Sequence, residues 1–144
     1  MVVGDLAQEV DVLVVGAGPG GYVAAARAAQ LGRSVTIVDK DELGGVCLNR
    51  GCIPSKAIIS AAERFTGLKE AEEIGIEVNG EVAVNMQKLM EWKNGVVKKL
   101  TGGVGQLMKG NKVEVVTGDV FFNAKDAVRV VGENSSQTYK FQDI

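Results

Sequence analysis

The strongest constraint on this chain's fold is a short apolar run that ends in a cluster of glycines. Asp11-Val12-Leu13-Val14-Val15 leads at once into Gly16-Ala17-Gly18-Pro19-Gly20-Gly21. A short β-branched run without polar alternation suits a strand covered on both faces, as in a parallel sheet. Tyr22 to Leu31 then carries five alanines and is followed by Gly32. That predicts a helix lying close on a sheet and stopping at the glycine. Ser34-Val35-Thr36-Ile37-Val38-Asp39 reads as a second buried strand, which completes a βαβ unit.

Within this unit the glycines have separate uses. Gly16 makes the tight turn, Gly18 lets a pyrophosphate approach the backbone, and Gly21 lets helix pack on strand. The helix begins at Pro19 and Gly20, where its free N–H groups and positive dipole end face the phosphates. Asp39 closes the second strand 18 residues after Gly21, where a carboxylate can accept hydrogen bonds from a ribose, with Lys40 beside it. Glycine loop, helix, strand and terminal acid together predict a dinucleotide site. The alternative is a tight turn in an α/β domain that binds nothing.

The next stretch, Gly44-Gly45-Val46-Cys47-Leu48-Asn49-Arg50-Gly51-Cys52-Ile53-Pro54-Ser55-Lys56, holds the only two cysteines, with four residues between them. A disulfide needs Cα atoms about 4.4–6.8 Å apart. Five residues of straight helix already rise about 7.5 Å. Pairing of Cys47 with Cys52 would therefore require a distorted turn, for which Gly51 and Pro54 are suited. So short a loop gives only about 2 kcal/mol as a staple. Such a bridge reads better as one that opens and closes. Two inert core thiols and a structural disulfide are the other readings. A zinc site lacks ligands, since the chain has no histidine and no further cysteine.

Beyond Lys56 the chain reads as helices and then strands. Ile58, Ala61, Ala62, Phe65 and Leu68 form an apolar stripe on a helix that Gly75 stops. Asn85 is placed to cap a second long helix through about Met108, with Leu89, Val96, Leu100, Val104 and Leu107 on one face. Gly95, Gly102, Gly103 and Gly105 weaken that helix and suggest a bend or a close approach. Four strands follow, at Lys112–Val116, Asp119–Phe122, Ala127–Val131 and Thr138–Phe141. The first is expected in the parallel sheet and the rest in a small antiparallel meander. The fold class is α/β, a Rossmann-like nucleotide-binding domain.

Composition excludes several functions. A net charge of −2 without a basic stripe gives no electrostatic case for nucleic acid. No apolar run approaches the 18 or so residues of a membrane span, and the first five residues lack the pattern of a signal peptide. A soluble, cytoplasmic protein is expected. With no histidine, any imidazole base must come from another chain.

The fingerprint and the cysteine stretch together resemble the pyridine nucleotide–disulfide oxidoreductases. The resemblance runs over the whole chain and is strongest from Val12 to Ala57. The segment from Leu43 to Ala57 is most similar to the members that oxidise dihydrolipoamide in 2-oxoacid dehydrogenase complexes. Glutathione and mercuric reductases share the two cysteines but vary around them. The resemblance implies FAD as the dinucleotide, held by Gly16, Gly18, Pro19, Gly20, Gly21, Asp39, Lys40, Gly45, Val46, Cys47, Cys52 and Lys56. The family more often carries Glu where this chain has Asp39. Cys47 and Cys52 would form the redox disulfide, Cys47 exchanging with lipoamide and Cys52 standing against the flavin near Lys56. NAD would be the final acceptor in the complete enzyme, and a histidine of the partner subunit would take the substrate proton. The implied partners are the lipoyl domain of a dihydrolipoamide acyltransferase and a second copy in a homodimer. Family members also carry NAD-binding and dimerisation domains, so residues 1–144 read as the N-terminal part of an FAD-binding domain. A glutathione- or mercury-type reductase of the same family and a non-catalytic FAD-binding module are the rival readings.

Overall fold

In the computed structural model, residues 6–144 are described. The expectation drawn from residues 1–5 lies outside them. Strand β1 (Gln8–Val15) is the axis of the sheet. On one side it pairs in parallel with β2 (Val35–Asp39), in register from Val12↔Val35 to Val15↔Val38. Between them lies α1 (Pro19–Gln30), the helix of the expected βαβ unit. β3 (Glu114–Thr117) extends the parallel sheet beyond β2.

The meander, β4 (Asp119–Ala124), β5 (Ala127–Val131) and β6 (Ser136–Asp143), is antiparallel as expected. It is also continuous with the parallel sheet, because β6 pairs in parallel with the other side of β1. The result is one six-stranded sheet in the order β3-β2-β1-β6-β5-β4.

Successive strand residues face opposite ways, and both faces of β2 are covered. Ile37 and Val35 pack with Ala25 and Ala26 of α1 and with Met108, while Val38 packs with Leu13, Val128, Val130 and Tyr139. Leu13, Ile37, Val38, Met108 and Val128 are wholly buried. The alanines of α1 let it lie close on β1 and β2.

Two further segments leave and return to the sheet. After α2 (Gly45–Asn49) comes α3 (Cys52–Glu70), which ends in a 3₁₀ turn (Ala71–Ile74) at Gly75, in left-handed conformation with φ 82°. α4 (Met86–Gly110) begins at Asn85, whose side chain accepts the Lys88 N–H at 3.0 Å, as the sequence predicts. α4 runs without interruption despite its glycines. Gly95, Gly102 and Gly103 face open space, and only Gly105 lies close to another side chain, that of Leu43.

The buried stripe of α4 differs from the expected one. Leu89, Val96 and Val104 turn inward, but Leu100 and Leu107 are exposed, and Met108 takes the buried place. The buried line runs instead through Val97, Thr101, Val104 and Met108, at four- and three-residue steps, so the inward face is turned around the helix axis from the one expected. On α3 the buried line likewise shifts to Ala57, Ala61 and Phe65, leaving Ile58, Ala62 and Leu68 exposed.

Candidate active site and nucleotide cleft

Three segments meet at the carboxyl ends of β1 and β2, where parallel sheets receive ligands. The first is the turn after β1. Gly16 adopts φ 100° there, a left-handed conformation that suits glycine. α1 starts behind it with Gly18 as N-cap and Pro19 in its first turn, and no side chain caps it. The first-turn amides at Gly20 and Gly21 are thus available to an anion. A Cβ at Gly18 or Gly20 would meet nothing within 4 Å, whereas one at Gly21 would run into the Gly16 carbonyl. Gly18 and Gly20 leave room for a ligand, and Gly21 serves the packing of α1 on β1.

The second segment is the end of β2. Asp39 is half-buried, and its carboxylate spans two loops. One oxygen accepts the Ala17 N–H at 2.6 Å and the other the Asp41 N–H at 2.9 Å. The sequence reading gave this carboxylate to a ribose. Here it first fixes the glycine turn, while each oxygen keeps a further lone pair for a hydroxyl.

The third is the cysteine segment. Gly44 and Gly45 adopt φ 94° and 59°, turning the chain into α2. The Gly44 N–H donates to the Ala17 carbonyl at 2.9 Å, and a Cβ on Gly45 would stand 2.8 Å from the Gly18 Cα. The cysteine helix therefore rests directly on the glycine turn. The backbone between the cysteines is distorted, as pairing would require. α2 stops at Asn49, Gly51 takes φ −122° and ψ −103°, and Cys52 opens α3.

Cys47 is half-buried, Cys52 is exposed, and both thiols are free. Hydrogen bonding to the Cys52 side chain holds the Cys47 thiol above the ordinary thiol range, and desolvation and the neighbouring sulfur push the same way. The Cys52 backbone N–H and the Lys56 ammonium oppose the shift more weakly. Cys52 is the first residue of the 19-residue helix α3.

A cleft of about 290 Å³ opens between these segments, with Gly18, Asp39, Lys40, Gly45, Val46 and Arg50 in its wall. The free helix amides, the uncapped turn and the flanking polar groups fit the diphosphate and ribose of a dinucleotide. A larger cleft of about 420 Å³ lies at the opposite end of β1, around Glu9, Asp11 and Lys140, with neither a cysteine nor a fingerprint glycine. Among the described residues there is no cluster of three or more potential metal ligands, and no helix is long and apolar enough to cross a membrane.

Residues 10–144 match the family model described as pyridine nucleotide-disulphide oxidoreductase. This chain belongs to that family. It is 61% identical over 143 residues to the dihydrolipoyl dehydrogenase of Geobacillus stearothermophilus and 58% identical to that of Bacillus subtilis. A third relative so named, from Haloferax volcanii, is 51% identical over 145 residues. Each match takes in 99% of this chain and 30% of the relative, so the chain spans about a third of their length. In fold it is similar to the HOCl-induced flavoprotein disulfide reductase RclA from Escherichia coli, solved as its Cu(II) complex, with a TM-score of 0.76 at 20% identity. That likeness covers 93% of this chain and 27% of the other.

In this pyridine nucleotide-disulphide oxidoreductase the structure adds two residues to which the sequence reading gave no role. The Asn49 side-chain amide donates to the Leu43 carbonyl at 3.1 Å and the Gly45 carbonyl at 2.9 Å, strapping α2 to the turn before it. Arg50 reaches from the end of α2 to Asp41, 3.6 Å away. The available signal was an amide side chain closing a helix too short to hold itself.

Proposed function

We propose that this chain is the N-terminal, flavin-binding part of an enzyme that oxidises dihydrolipoamide through Cys47 and Cys52. The observation that carries this reading is the seating of the cysteine helix on the glycine turn, Gly44 on Ala17 and Gly45 on Gly18. It supports a dinucleotide bound close to the thiols. Gly16, Gly18, Pro19, Gly20 and Gly21 would hold the diphosphate of FAD. Asp39 and Lys40 would face its ribose, and Gly45, Val46, Cys47, Cys52 and Lys56 the remainder. Bound flavin supplies a two-electron acceptor for the reduced pair, with NAD as final acceptor.

The work of the chain's own residues follows from thiol exchange. In the oxidised pair, a substrate thiolate attacks the Cys47 sulfur, and the Cys47–Cys52 bond breaks with Cys52 leaving as thiolate. The second substrate thiol then attacks the substrate sulfur of the mixed disulfide and releases Cys47. The dithiol gives up two electrons and two protons and closes as a disulfide, and the cysteine pair gains the two electrons. One proton stays on Cys47, held by its hydrogen bond to Cys52. The other needs a base that this histidine-free chain lacks, and an imidazole of the partner subunit in a complete, homodimeric enzyme fits that need. The likeness to dihydrolipoyl dehydrogenases supports the lipoyl domain of an acyltransferase as the partner, in the cytoplasm.

The test is a visible spectrum of the purified chain given FAD, before and after dihydrolipoamide. Retained flavin and a long-wavelength band, absent in Cys52→Ser, are expected. Retained flavin that dihydrolipoamide leaves unchanged would refute the redox reading.

A further inference from the structure

The walls of the nucleotide cleft carry an unfavourable charge for the ligand they are shaped to take. Asp39, Asp41 and Glu42 line it with carboxylates, against only Lys40 and Arg50. A dinucleotide brings two further negative charges on its diphosphate. Asp39 is committed to backbone amides at the floor. Arg50 is the one lining cation contributed by the cysteine segment, and it rises from the end of α2, the same helix that rests on Gly18.

Its present partner holds it weakly. The Arg50–Asp41 pair is 3.6 Å apart, with the two side chains 60% and 49% exposed. Exposed pairs of this kind contribute little, so the guanidinium can leave Asp41 at small cost. Its backbone, in contrast, is fixed. The Arg50 N–H donates to the Val46 carbonyl at 2.9 Å, and the Asn49 straps hold the turn before it. A planar fork on an anchored backbone beside open helix amides suits bidentate contact with phosphate oxygens.

We infer that Arg50 is a cofactor-binding residue, leaving Asp41 to contact the diphosphate of the bound dinucleotide. The inference rests on the flavin reading above. It makes one side chain a bridge between the redox segment and the cofactor. Asp41 acts as a competitor that holds the guanidinium until the ligand arrives.

The experiment is FAD titration of the purified chain by flavin fluorescence, for the unmodified protein, Arg50→Met, Arg50→Lys and Asp41→Asn, with thermal melts of each to check folding. Arg50→Met is expected to weaken FAD at least tenfold and Arg50→Lys less. Asp41→Asn, which frees the guanidinium, is expected to bind FAD as well as the unmodified chain or better. Arg50→Met within twofold of the unmodified chain overturns the inference while leaving the flavin reading standing. So does an Asp41→Asn loss equal to that of Arg50→Met, because the pair would then serve only as a clasp. An unmodified chain that binds no FAD overturns both.

Discussion

Replacing Gly21 with Ala isolates the contact that seats α1 on β1. Gly21 has ordinary helical geometry, so backbone strain does not enter. The added Cβ would overlap the Gly16 carbonyl oxygen, stand 2.9 Å from its carbon and 3.4 Å from Val14 Cγ1. Carbon atoms settle about 3.5 Å apart or more. The carbonyl carbon alone therefore demands a shift of about 0.6 Å, and the oxygen demands more. Both partners are backbone, so no side-chain rotation relieves the clash, and α1 must lift with Ala25 and Ala26 from the core. Overpacking of this kind costs about 3 kcal/mol, offset by up to about 1 kcal/mol for alanine over glycine in a helix. The net loss of about 2–3 kcal/mol corresponds to a fall in Tm of roughly 5–10 °C for a chain of this size. The control is Gly20→Ala, one residue away, whose Cβ meets nothing within 4 Å. It should match the unmodified chain or exceed it by up to about 1 kcal/mol. Thermal and urea melts of both variants decide the matter. A Gly21→Ala chain that melts no lower than Gly20→Ala would show the close approach to be wrong.

Two further outcomes are expected. Cys52→Ala removes the hydrogen bond that chiefly raises the Cys47 thiol, so Cys47 should alkylate faster below pH 9, read peptide by peptide in mass spectra against the reduced unmodified chain. A raised folded-state value also means that the folded chain keeps a proton the unfolded chain has released, so this group's stabilisation is present below the ordinary thiol range and is lost as pH rises through the folded value. Cys52→Ala should flatten that alkaline loss, and an unchanged alkylation rate would sink the assignment. Asn49→Ala leaves the Leu43 and Gly45 carbonyls without their side-chain donor and should cost about 1–3 kcal/mol in urea melts. Asn49→Asp, which turns oxygens toward those carbonyls, should cost at least as much.

The sheet's centre was legible because each residue in it says the same thing twice. Val12 to Val15 is apolar in strand fashion, and the glycines that follow permit one turn and little else. The two cysteines were legible as a pair because pairing demands a broken helix and Gly51 supplies it. What could not be read were contacts between segments far apart in sequence. The parallel pairing of β6 with β1 joins Gln8 to Tyr139, and no local pattern distinguishes it from a free-standing meander. The seating of Gly45 on Gly18 leaves no mark except a glycine, which a turn would explain equally well. The faces of α3 and α4 were misjudged because their apolar residues outnumber the places available in a narrow seam. The commitment of Asp39 to Ala17, in the turn after β1, is a contact of the same long-range kind.

Ala17 has both of its backbone groups engaged, its N–H by Asp39 and its carbonyl by Gly44. A residue with no reactive atom is thereby the joint between the strand that ends in the acid and the helix that carries the thiol. Any displacement of α2 is therefore felt at that carbonyl and so at the glycine turn, without passing through a ligand. The two halves of the fingerprint are mechanically one part, and neither can be transplanted or reshaped without the other.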